Sequence, residues 1–383
     1  MKKLSGKILS VILAAVFVMS VFSVSISAES GELKFGEDGK FTILQISDTQ
    51  DDRYLAHELP GFIKKAIELA NPDLVVFTGD IVEDSRTGDL TVDDEGWREG
   101  VTVKWNYNKT LSNTKAATEQ IFSIINDKGI PFAIAQGNND YASGVKNEDW
   151  LEIYSSFEHC LVKDESDDSD GRIDYSLPIY SSDTSRIAFN IYMTDTGRNK
   201  VTSEQIKWYK KTSKALEKQN GEKVKSFVFQ HIPVDDVGNL FEECKPFSKD
   251  AVCSLGKWYR LGENASGHFE VLYKPGKTTK QFTAWKNRGD VIGAYFGHIH
   301  SDGYTGTWDG IELGLTYGAQ FAKNGPYGVR VFTLDENDIE NYSNILYTYI
   351  NKNFAPQIGN DPNLKNLFMK IISFFKTIFA NLF

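Results

Sequence analysis

Residues 41–50 read FTILQISDTQ and residues 73–80 read DLVVFTGD. In each, a short run rich in β-branched and aromatic residues stops at a carboxylate, Asp48 or Asp80. That is the pattern of a buried strand followed by a polar loop. Further strand-like runs are 131–136 (PFAIAQ), 186–193, 226–230 (SFVFQ) and 291–296 (VIGAYF). Helical spacing separates them over 61–70 and 115–127. Thr202 and Gln205 form a capping box that opens a helix running to about Lys218, with Trp208 and Leu216 on it. Alternation of this kind predicts an α/β sheet protein. Later runs at 310–316, 328–334 and 345–350 follow one another without helices between them, so antiparallel strands completing the sheets are expected.

The composition bounds what the chain does. Among 383 residues there are 52 acids against 42 Lys and Arg, a formal charge of −10, with 41% hydrophobic content. This excludes a collagen, a disordered tail and a multispan membrane protein. A nucleic-acid polymer is not an expected partner, because gripping its backbone takes clustered Lys and Arg. The N-terminus reads as export: Lys2, Lys3 and Lys7 precede an uncharged apolar run from Ile8 to Val24, and Ser25 to Ala28 form a small-residue exit. We therefore expect a signal peptide over 1–28 and a secreted or extracytoplasmic protein. The apolar length also accommodates an uncleaved anchor, although the small-residue exit favours cleavage.

The body of the protein is expected over 32–352, interrupted by polar insertions at about 83–109 and 235–290. These read either as active-site edges or as surface elaboration. Cys244 and Cys253 are near enough in sequence to close a short loop, and free thiols fit equally well. From 362 to 383, Leu364, Leu367, Phe368, Ile371, Ile372 and Phe375 oppose Lys365, Lys370 and Lys376, with no acid after Asp361. This basic amphipathic helix suits contact with a membrane surface, or packing on the protein's own sheet or a second subunit.

The chemistry lies at the strand ends. Asp48 and Gln50 follow the first run, Gly79-Asp80 the second, Gly137-Asn138-Asn139-Asp140 the third, His231 the run ending at Gln230, and Gly297-His298-Ile299-His300 the run ending at Phe296. In open α/β sheets ligands bind where loops leave the carboxyl ends of strands, so these residues are expected to meet at one edge. The glycines before Asp80, Asn138 and His298 are expected to let the backbone turn sharply. His298 and His300, two apart in an extended segment, can face one pocket. His57, His159 and His268 read as surface or packing histidines, and Asp84 as a solvated or capping acid.

This ordered set resembles the five-motif pattern of the calcineurin-like metallophosphoesterases, and 43–50, 205–208 and 230–233 look closest to the purple-acid-phosphatase-related branch. The resemblance covers about residues 41–335. It implies a four-layer α/β/β/α sandwich of two mixed sheets flanked by helices, holding two metal ions. Asp48, Gln50, Asp80 and His300 would serve one ion, Asp80, Asn138, His231 and His298 the other, and Asp80 would bridge. The donor set suits Mn, Fe or Zn. The activity implied is hydrolysis of a small phosphate mono- or diester, with a hydroxide bridging the ions as nucleophile.

Two positions depart from the family pattern. Gln50 stands where a histidine is usual, which weakens that ligand, and Tyr54 is a nearby substitute. Asn139 stands where the family has a histidine assigned to leaving-group protonation. Asparagine donates a hydrogen bond but delivers no proton. The chain then favours esters with good leaving groups, unless His57 or a group on an insertion serves as acid. The other reading is a catalytically impaired protein that binds metal and a phosphorylated ligand.

Overall fold

A computed structural model describes residues 32–83, 106–166, 171–254, 256–321 and 325–357. The expected signal peptide, Asp84, most of the first insertion and the expected basic helix at 362–383 lie outside these residues. In chain order the first half contains β1 (Leu33–Lys34), β2 (Lys40–Ile46), α1 (Leu59–Ala70), β3 (Leu74–Phe77), α2 (Tyr107–Asn126), β4 (Phe132–Ile134), α3 (Asn138–Ala142), α4 (Asn147–Ser155), β5 (Tyr175–Tyr180), β6 (Ile187–Thr194) and α5 (Ser203–Asn220). There follow β7 (Ser226–Gln230), β8 (Phe241–Cys244), β9 (Val252–Ser254), β10 (Lys257–Leu261), β11 (Ala265–His268), α6 (Lys280–Arg288), β12 (Val291–Phe296), β13 (Gly303–Trp308), β14 (Ile311–Leu315), β15 (Tyr327–Asp335), β16 (Ser343–Ile350) and β17 (Asn353–Pro356).

Two mixed sheets form the centre. One has the order β17-β16-β15-β2-β3-β4, with β2, β3 and β4 parallel, and the other the order β1-β5-β6-β7-β12-β14-β13-β11, with β6, β7, β12 and β14 parallel. Side-chain alternation sorts the core into layers. Phe227, Phe229 and Tyr295 point into the core shared with Phe332 of the other sheet, while Val228, Ala294 and Phe296 point away from it. The outward set packs with Trp208 and Tyr209 of α5 and Phe282 and Trp285 of α6, whereas Phe62 and Ile63 of α1 and Ile121 and Phe122 of α2 join the first core. The architecture is helix, sheet, sheet, helix, as the resemblance implied.

Three expectations need correction. The run at 310–316 is not wholly antiparallel: β14 pairs antiparallel with β13 but parallel with β12. Its carboxyl end therefore emerges beside that of β12. The region 235–290 is only partly an insertion, since β8, β10 and β9 form a separate three-stranded sheet while β11 extends the large sheet and α6 belongs to a helical layer. Strand pairing also continues past residue 352, through β17.

The small sheet decides between the two cysteine readings. Trp258 on β10 pairs with Cys244 on one side and with Cys253 on the other. Two strand spacings of about 4.8 Å separate the cysteines, beyond the Cα separation of about 7 Å that a disulfide spans. All three cysteines are free thiols.

The sheets are also joined through a fully buried Arg330 on β15. Its five N–H donors reach Thr316 Oγ1 (3.0 Å), Thr305 Oγ1 (2.8 Å), Asn344 Oδ1 (2.8 Å) and the carbonyls of Tyr304 (3.1 Å) and Leu315 (2.6 Å). Thr316 in turn donates to Gln45 of β2 at 2.9 Å. Buried Glu312 completes the network by accepting from Asn344, Tyr295 and Tyr342.

Candidate metal centre

The parallel strands β2, β3 and β4 of one sheet and β7 and β12 of the other end at a common edge, and each is followed by a donor identified from the sequence. The turns that aim these donors are strained. Asp48, Gln50, Asp80 and His298 have φ of 51°, 38°, 50° and 73°, a left-handed conformation that costs a non-glycine residue about 1–3 kcal/mol. The sequence assigned such turns to the preceding glycines, but of Gly79, Gly137 and Gly297 only Gly79 has positive φ. Gly137 and Gly297 are needed for space: an added Cβ would lie 2.1 Å from Asp80 Oδ1 and 1.9 Å from Ser47 Oγ, respectively. The backbone of one donor loop packs directly against the carboxylate of the next. Gly137→Ala is accordingly expected to cost about 1–3 kcal/mol of stability by overpacking and to displace Asp80. Thermal unfolding together with bound-metal analysis checks this, and an unchanged metal content would contradict the displacement.

Asp80 lies at the centre. Its Oδ2 is 3.2 Å from His231 Nε2 and accepts from Gln50 Nε2 at 2.9 Å, and its Oδ1 accepts the Asn139 backbone N–H at 2.8 Å. His231 Nε2 is also 3.1 Å from Asn138 Oδ1 and 3.2 Å from His298 Nδ1. Across the site, Asp48 Oδ1 is 3.3 Å from His300 Nε2, and its carboxylate accepts the His298 backbone N–H. Ligand atoms of Asp80, His231 and His298 lie within 4.8 Å of one another, as do those of Asp48, Asp80 and His300, so Asp80 belongs to both groups. All seven donors named from the sequence are thus brought together.

Three features fit this cluster to cations. His231 Nδ1 donates to the Thr78 carbonyl at 2.8 Å, which leaves Nε2 as the free donor toward the cluster. Burial disfavours an imidazolium there, yet the charge and hydrogen bond of Asp80, with Asp48 beyond, outweigh it and raise His231 to about 9. The carboxylates therefore demand positive charge. Finally, Gln50 is buried and its Oε1 has no hydrogen-bond partner; such an orphaned carbonyl oxygen fits a metal ligand.

Asp48, Asp80 and His231 form a buried floor, while Asn138, Asn139, His298 and His300 are half-buried at the rim. Asp140, quoted in the sequence pattern without a role, is fully buried and accepts backbone N–H groups from Ile81, Val82 and Gly137 at 2.9, 3.1 and 2.9 Å, tying the loops after β3 and β4 together. Tyr54 is 48% exposed and carries the Arg53 guanidinium over its ring, outside the buried cluster. His57 and His268 are exposed.

The reading of the sequence missed Gln320, which follows β14. Its buried side-chain amide contacts His300 Nδ1. The signal that finds it is the parallel direction of β14, which carries the loop 316–320 to the same edge.

A sandwich of two mixed sheets with this donor set at the ends of its parallel strands defines a metallophosphoesterase. The chain belongs to the calcineurin-like phosphoesterase family, whose model matches residues 41–302. It is 24% identical over 342 residues to probable inactive purple acid phosphatase 14 of Arabidopsis thaliana, covering 78% of this chain and 75% of that protein. It is 23% identical over 333 residues to probable inactive purple acid phosphatase 28 of the same plant, covering 76% and 72%. Among solved structures, a dimetal phosphatase from Danio rerio aligns over 80% of this chain and 95% of its own, with 11% identity and a TM-score of 0.48.

Proposed function

We propose that this chain is an exported phosphoesterase that uses two metal ions to hydrolyse a small phosphate mono- or diester. What supports it most is Asp80, whose carboxylate belongs to both three-donor groups. Asp48, Gln50, Asp80 and His300 would hold one ion and Asp80, Asn138, His231 and His298 the other. Mn, Fe or Zn suits these donors. Such ions supply Lewis-acid polarisation of phosphoryl oxygens and a nucleophilic water at neutral pH. The residues themselves hold the ions' positions: the Thr78 carbonyl fixes the His231 tautomer, and Asp140 locks the loops bearing Asp80 and Asn138. At the rim Asn139 donates a hydrogen bond to a phosphoryl or leaving-group oxygen without giving up a proton. A small ester suits a molecule whose formal charge of −10 opposes a nucleic-acid polymer.

Asn139→His tests the missing acid. Turnover of alkyl phosphates, which need leaving-group protonation, is expected to rise by about 10²-fold or more, while aryl esters with good leaving groups gain little. An equal response of both substrate classes would overturn the role given to Asn139.

Gln50 and Asn139 favour a second reading, a protein that binds metal and a phosphorylated ligand without turnover, attached to a membrane surface through the basic amphipathic sequence at 362–383. The same assay separates the two: that protein carries metal and hydrolyses neither ester.

A further inference from the structure

We infer that Gln320 is a positioning residue that sets the tautomer of His300, and with it the affinity of the metal position formed by Asp48, Asp80 and His300. The inference rests on the two-ion reading above. His300 Nε2 is the nitrogen that faces the cluster, 3.3 Å from Asp48 Oδ1. An imidazole that ligates through Nε2 carries its hydrogen on Nδ1, and Nδ1 meets Gln320 Nε2, the donor end of an amide whose nitrogen and oxygen exchange places by a half-turn. That hydrogen needs an acceptor. Placing Oε1 of the amide against Nδ1 supplies one, and it also gives a partner to Gln320 Oε1, which is otherwise buried without a hydrogen bond. With the NH₂ end inward, Nδ1 must instead be the bare nitrogen, which puts the hydrogen on Nε2 and blocks ligation.

The loop that carries Gln320 is built to hold this contact. Thr316 N–H donates to the Phe296 carbonyl at 3.0 Å, Gly318 N–H to the His300 carbonyl at 3.1 Å, and Ala319 N–H to the carbonyls of Ser47 and Asp48 at 2.9 and 3.1 Å. Gly318 approaches so closely that a Cβ there would lie 3.2 Å from His300 Cβ and 3.3 Å from Asp48 Cβ. One short segment thus touches two donors of the same metal position. That position also contains Gln50, a weaker ligand than imidazole, so it depends strongly on a correctly presented His300.

The test uses the full chain stripped of metal by chelation, then titrated with Zn²⁺ alone and, separately, with Co²⁺ to follow its visible absorption. The near-isosteric Gln320→Leu removes the acceptor, and Gln320→Glu keeps it. Wild type is expected to take up two equivalents. Gln320→Leu should bind one of them about 10–100-fold more weakly, with the other unchanged and the Co²⁺ spectrum altered for one position only, and Gln320→Glu should restore the affinity. Two unchanged equivalents in Gln320→Leu overturn the inference and leave the two-ion reading intact. Equal weakening of both equivalents with a lowered melting temperature overturns it in favour of a merely structural role. A wild type that takes up no second equivalent overturns the two-ion reading and this inference with it.

Discussion

Asp80→Asn is expected to abolish most hydrolysis while leaving the fold intact. Asparagine has the shape of aspartate, and its carbonyl can still accept the Asn139 backbone N–H that Asp80 Oδ1 accepts at 2.8 Å. What disappears is the charge shared by the two donor groups. The amide nitrogen would then face Gln50 Nε2, itself a donor that needs an acceptor or must turn away. On the two-ion reading proposed above, both positions lose a ligand at once, so bound metal should fall from close to two equivalents to one or none. Metal-assisted stabilisation is worth several kcal/mol, so hydrolysis of an aryl phosphate should drop on the order of 10³-fold or more. The metal-free variant should still fold but melt below metal-free wild type near neutral pH, because Asp80 is the buried partner that raises His231 to about 9. Metal analysis, calorimetry and a turnover assay on one preparation decide the matter. Two retained ions with full activity would refute the bridging role.

The second large effect falls on stability. Arg330→Met should destabilise the protein by about 3–5 kcal/mol. The substitution removes all five guanidinium bonds from a fully buried position and leaves two backbone carbonyls and the Asn344 amide oxygen short of donors. Glu312, the buried carboxylate in this network, loses its nearby cation. Replacing Glu312 by Leu in the same protein should recover part of the loss, since the two charges lie in one network and their substitutions are non-additive. Urea denaturation of the single and double variants measures both quantities. A loss below about 1 kcal/mol in the single variant would show that the network relaxes or hydrates and contributes little. Because Arg330 holds Thr316, at the head of the loop to Gln320, the variant should also bind metal less tightly.

The core of each sheet was legible because buried strands need continuous apolar runs, and 41–47, 73–78, 226–230 and 291–296 all form strands or their immediate extensions. The Thr202 and Gln205 capping box also forms as read. Strand direction was not legible. The run at 310–316 has the same composition whether it pairs parallel or antiparallel, and only its place between β12 and β13 decides which end reaches the edge that carries the donors. That ambiguity concealed Gln320. The glycines show a similar limit: their presence beside Asp80, Asn138 and His298 was visible, but the reason for two of them is an atom from a loop distant in sequence.

The amino-acid sequence by itself determined which residue types stand after which strands, and hence the family, the α/β class and seven candidate donors, because hydrophobic run length and donor chemistry are local properties. The tertiary structure alone decided that Asp80 is common to both donor groups, that Gln320 faces His300, and that Cys244 and Cys253 are held apart by Trp258. Each of these depends on the register and direction of strands far apart in the chain, which packing of the whole core selects and no single segment encodes.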